Sequence, residues 1–104
     1  MSRLDTIGNH KTTVFTDELG YTCVVYHQTC VVKWNADRII LNTGGYKTAT
    51  TKARMNQTAN QFGLGFQVYQ QNHVWYVGYA GLALRFLGSV IELDRNNPKE
   101  SIQR

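Results

Sequence analysis

Strand-like blocks open and close the chain, with a single helical pattern between them. Residues 11–16 (KTTVFT) and 21–34 (YTCVVYHQTCVVKW) are dense in Val, Thr and aromatic side chains, which pack well on a pleated surface. The second block reads equally as one long bent strand or as two strands broken near His27-Gln28. Asn35-Ala36-Asp37-Arg38 has the chemistry of a four-residue hairpin loop, and 39–42 (IILN) returns as its partner strand until Thr43-Gly44-Gly45 interrupts it.

The period then changes to that of a helix over about 50–62. Thr48, Thr50 and Thr51 offer N-caps, and Gly63 stands where a left-handed C-terminal residue belongs. Met55, Ala59 and Phe62 form the apolar stripe, flanked by Thr51 and Thr58. Lys52, Arg54, Asn56, Gln57, Asn60 and Gln61 are expected on the wet side. Period-2 alternation resumes in 66–70 (FQVYQ) and 74–79 (VWYVGY), joined by a turn at Gln71-Asn72-His73. Residues 82–86 and 89–93 are expected to close as a final hairpin through Leu87-Gly88.

The predicted order is β-β-β-α-β-β-β. Short connections imply an α+β fold, with an antiparallel sheet or small, partly open barrel and one helix packed on it. With 104 residues there is room for one domain, 1–104, with 1–10 and 95–104 expected as loose tails.

Composition adds a bias toward anions. Lys and Arg number 11 against 7 Asp and Glu, a net charge of +4 that favours polyanionic partners. Six Tyr, four Phe and two Trp are enough to build a core, so the composition is globular. No apolar run approaches a membrane span and residues 1–10 hold no signal-type apolar segment, so a cytoplasmic protein is expected. Cys23 and Cys30 lack metal-ligand spacing and read as buried free thiols, with a disulfide pair as the minority alternative.

The densest candidate chemistry lies in 42–57 (NTGGYKTATTKARMNQ). Gly44 and Gly45 permit close backbone approach, and Asn42, Thr43, Thr48, Thr50, Thr51, Asn56 and Gln57 supply hydroxyls and amides. Lys47, Lys52 and Arg54 supply positive charge, and no acid interrupts the run. Because the segment leads into a helix N-terminus, it resembles a phosphate cradle, although its spacing is not that of a Walker A loop. Tyr46, in the glycine loop, is the first candidate for base stacking, and Tyr69, on a Gln-rich strand face, the second. His10, His27 and His73 are scattered, and the carboxylates fall mostly in turns and tails. No catalytic residues, metal site or cofactor are therefore expected, and the chain leans away from an enzyme.

The string Ile40-Leu41-Asn42-Thr43-Gly44-Gly45-Tyr46-Lys47-Thr48, then Thr50-Thr51-Lys52 and Arg54-Met55-Asn56-Gln57, resembles a group of small bacteriophage proteins. Phe62-Gly63-Leu64-Gly65-Phe66 and Val74-Trp75 extend the likeness over roughly 11–94. The resemblance implies a viral origin and expression in a bacterial cytoplasm, and carries no activity, cofactor or site residue with it.

Nucleic-acid binding through 42–57 is the leading functional expectation, in an accessory or host-takeover role. The second is capture of a nucleotide signal used in host defence, in a pocket at a homo-oligomer interface. The third is inhibition of a host or defence protein by a basic helix face, and the fourth a structural part of the virion.

Overall fold

A computed structural model describes residues 11–103. The elements run β1 (Thr12–Thr16), β2 (Thr22–Tyr26), β3 (Thr29–Trp34), β4 (Arg38–Asn42), α1 (Ala49–Phe62), β5 (Phe66–Gln71), β6 (Val74–Tyr79), β7 (Leu82–Arg85), β8 (Val90–Asp94), a short 3-10 helix (Pro98–Glu100) and β9 (Ile102–Gln103). The α+β expectation holds, in the form of two antiparallel sheets with no closed barrel. The larger sheet has the order β1-β2-β3-β4-β8-β9, and the smaller is the meander β5-β6-β7.

The block 21–34 is two strands, with His27 at φ 57 in the turn between them. The β2–β3 register shifts between Val24 and Val25, and Val31 and Val32 are both buried. A bulge is what allows two consecutive residues to escape strict alternation.

The hairpin expected between 82–86 and 89–93 does not form. β7 pairs with β6, whereas β8 crosses to the larger sheet and pairs with β4, Leu41 opposite Ile91 and Ile39 opposite Leu93. Phe86 makes the crossing: its N–H donates to Trp75 O at 2.8 Å and its side chain is fully buried. The residues after Asp94, expected to be loose, form the 3-10 turn and β9 against β8. Ser101 Oγ holds that turn by accepting the Asp94 N–H at 3.2 Å and donating to Pro98 O at 2.7 Å. The arm expected at 1–10 lies outside the described residues.

One core joins both sheets to α1, through Val24, Val32, Ile39 and Leu41 of the larger sheet, Met55 and Ala59 of the helix, and Val68, Trp75 and Val77 of the smaller sheet. Each of the buried Val, Ile, Leu and Met side chains contributes about 1.5–3 kcal/mol of burial free energy. Thr48 caps the helix, its Oγ1 accepting the Thr51 N–H at 3.2 Å, and Gly63 ends it at φ 64 with its N–H on Ala59 O. The apolar stripe is rotated from expectation. Phe62 is 41% exposed, although its ring lies 4.8 Å from Trp34, while Arg54 and Gln57 turn inward.

Candidate anion-binding groove at the start of the helix

The glycine loop is built by its own polar groups. Asn42 Oδ1 accepts the Gly44 N–H at 2.8 Å, Thr43 Oγ1 accepts the Gly45 N–H at 3.2 Å, and the Tyr46 N–H closes the turn on Thr43 O at 3.1 Å. Gly44 and Gly45 both adopt left-handed φ, 65 and 87, a pair of values that side chains resist. A Cβ on Gly44 would lie 2.6 Å from Thr29 Oγ1, so any other residue there must displace the Thr29 side chain as well as hold a left-handed φ. Thr43 anchors the loop from below, its N–H donating to Ser89 O at 2.8 Å.

Between this loop, the β2–β3 turn and the first turn of α1 lies a groove of about 620 Å³, lined by Lys11, Tyr26, His27, Gln28, Thr29, Val31, Thr43, Tyr46, Thr48 and Thr51. Its volume falls in the range that encloses a small ligand. Tyr46, 72% exposed, contributes an aromatic side chain to this lining. Among the described residues no carboxylate lines the groove, and the helix that opens there has no acid in its first turn, so its N–H groups present partial positive charge.

Arg54 gives the groove its electrostatic character. Its side chain is largely buried, with Nε donating to Thr12 Oγ1 at 3.0 Å and Nη1 to Gln57 Oε1 at 3.1 Å. Its guanidinium carbon lies 5.5 Å from the centroid of the Tyr26 ring, which also lines the groove. No carboxylate pairs with it among the described residues, where the ion pair found is Arg38–Glu92. A buried cation held by neutral oxygens and a π face keeps much of its field.

The structure therefore divides the predicted site. Thr43, Tyr46, Thr48 and Thr51 line the groove, and Asn42, Gly44 and Gly45 shape its rim. Thr50 is exposed in the first helical turn outside the lining. Lys47 does not point into a cradle: its ammonium donates to Phe86 O, strapping the loop to the crossover. Lys52 covers the Trp75 ring at 5.8 Å. Asn56, expected to be wet, bonds β5 in both senses, Nδ2 donating to Val68 O at 2.8 Å and Oδ1 accepting the Val68 N–H at 2.7 Å. Gln57 is committed to Arg54. Tyr69 sits on the smaller sheet, stacked on Tyr76 at 5.5 Å between centroids.

Sequence reasoning missed Lys11, Tyr26, His27 and Gln28. Only His27-Gln28, flagged as a break in the strand signal, hinted that a turn could wall a site. A second depression of about 550 Å³, bordered by Asn56, Asn60 and Gly78 to Leu82, is lined by neither a cation nor a carboxylate among the described residues.

Fold and site together describe a small α+β protein with a groove that, among the described residues, holds no acid. The chain belongs to the Kyanoviridae Gp96 protein family, whose model matches residues 1–91. No curated protein and no solved structure matches it. Among the described residues no helix is long and apolar enough to cross a membrane.

Proposed function

We propose that this phage protein binds a nucleoside phosphate in the groove, either as a free nucleotide or as one unit of a nucleic-acid strand. The observation that carries this reading is Arg54: a buried guanidinium without a carboxylate partner among the described residues, set against a ring of the groove. A phosphate at the mouth of α1 would meet its first N–H groups, the Lys11 ammonium and the field of Arg54, and Tyr46 offers a ring to the base. As a strand unit the ligand implies an accessory nucleic-acid role; as a free nucleotide it implies capture of a signal in the infected cell.

Thermal unfolding with a panel of mononucleotides, cyclic nucleotides and short oligonucleotides separates the two sources. A ligand at 100 times its dissociation constant adds about 2.7 kcal/mol. Free nucleotides that shift the melt as strongly as oligonucleotides assign the groove to a signal, whereas a shift confined to oligonucleotides assigns it to a strand. No shift with any member ends the proposal. Inhibition of a protein through a basic helix face has less support, because of the two helix cations Arg54 is buried and Lys52 lies over Trp75.

A further inference from the structure

The outer face of the smaller sheet presents an ordered row of side chains away from the groove. Tyr69 of β5 lies opposite Tyr76 of β6, and Tyr76 lies opposite Arg85 of β7, so two rings and a guanidinium line up across three strands. The rings are nearly parallel, 15° apart, and neither is fully buried. The next row is Gln67, Gly78 and Ala83. Gly78 adds no side chain there; a Cβ at that position would sit 3.7 Å from Tyr69 Cε1, so the row stays low beside the ring. Gln67, Ala83 and Arg85 are exposed.

Charge narrows the occupant. The sequence from Arg38 to Ile91 contains no Asp or Glu, so β5, β6 and β7 hold no carboxylate and the face has a net positive charge from Arg85. A cross-strand tyrosine pair alone is explained by sheet stability, at roughly 0.2–1 kcal/mol. It does not account for an exposed arginine in the same row, a low glycine row beside it and amide side chains at the margin. Flat rings, one cation and hydrogen-bonding amides without acids are what unpaired bases and their phosphates require.

We infer that this face is a stacking platform for single-stranded nucleic acid, with bases on Tyr69 and Tyr76 and a backbone phosphate at Arg85. The platform stands on residues separate from the groove, so either can fail without the other. A duplex, whose bases are already stacked, is a poor occupant.

Fluorescence anisotropy of labelled oligothymidylate and oligouridylate, against a duplex of matched length, tests it. Tyr69→Leu and Tyr76→Leu are each expected to weaken strand binding about tenfold, the scale of one lost base stack. Arg85→Gln should lower affinity and flatten the salt dependence by about 0.7 in log–log slope, one phosphate contact on a single strand. The paired substitution Gln67→Glu with Ala83→Glu changes exposed positions only and should also weaken binding, which guards against loss through misfolding. All four variants should keep the nucleotide-induced thermal shift assigned to the groove. Absence of strand binding by the wild-type chain overturns the inference. So does equal affinity for duplex, or unchanged affinity in both tyrosine variants.

Discussion

The groove beside Tyr26 and the cleft between β4, β8 and the 3-10 helix treat positive charge in opposite ways. In the cleft, of about 170 Å³, Arg38 meets Glu92 at 2.8 Å, with Asp94 and Glu100 alongside. Its guanidinium is half exposed and its charge is matched within the chain. Behind the Tyr26 ring of the groove, Arg54 is buried and, among the described residues, meets neutral acceptors and that ring. The cleft gathers Glu92, Asp94 and Glu100, whereas the sequence run that supplies both the glycine loop and Arg54 holds no acid from Arg38 to Ile91. A cation neutralised locally stabilises the fold modestly, whereas one left without a counter-charge retains a field that a ligand can use.

Replacing each arginine puts that contrast under the largest strain. Arg54→Ala should cost about 2–3 kcal/mol in urea unfolding, because it empties a packed site and leaves the Gln57 carbonyl oxygen without this donor. It should also lower nucleotide affinity at least about tenfold by removing a charge-assisted field. A stable Arg54→Ala protein that still bound nucleotides normally would erase the distinction between the two regions. Next in size is Gly44→Ala, expected to cost about 1–2 kcal/mol, since the residue needs positive φ and its new methyl would press on Thr29 Oγ1. Its melt should fall, with weaker ligand binding, as the rim moves off β3.

Glu92→Gln addresses the compensated region and should cost about 1 kcal/mol, partly fading with salt, because Arg38 is half in water although Glu92 itself is buried. A loss as large as that from Arg54→Ala would mean that the cleft, not the groove, holds the decisive charge. The smallest effect lies away from both regions. Burial first, then the neighbouring Cys23, pushes the Cys30 thiol up to about 11, and burial also raises Cys23. Folded-state values above the unfolded one favour the protonated thiols, so their contribution is complete below pH 9 and is lost as pH rises toward about 11. Cys30 is only partly buried, so solvent screening limits the decline to less than about 1 kcal/mol. Denaturant melts between pH 8 and 11, with a Cys30→Ser control, read it directly.

Local patterns were legible where a residue's neighbours in sequence are also its neighbours in space. Thr48 as cap, Gly63 as terminator, the 35–38 loop and the turn before β6 follow from turn and capping chemistry alone. Strand pairing across the crossover was not legible, since β7 and β8 are close in sequence yet join different sheets, and only the burial of Phe86 and the match of Ile91 and Leu93 to β4 decide it. The same limit shaped the site. Polarity placed Arg54, Asn56 and Gln57 on the wet side of α1, but Thr12 and Tyr26 for Arg54 and Val68 for Asn56, all distant in sequence, offer partners that make burial favourable, and Gln57 turns in with Arg54. The glycine loop was found from its composition, while the wall opposite it comes from a turn whose residues carry no motif.

The twofold bond from Asn56 to Val68 has a consequence for how these molecules behave in a crowd. β5 is an outer strand of its sheet, and outer strands with bare main-chain groups recruit further strands until chains polymerise. At Val68 both groups are already engaged by one carboxamide from the helix. A side chain that fastens α1 to the sheet thereby also closes the middle of that border to fibre-like growth.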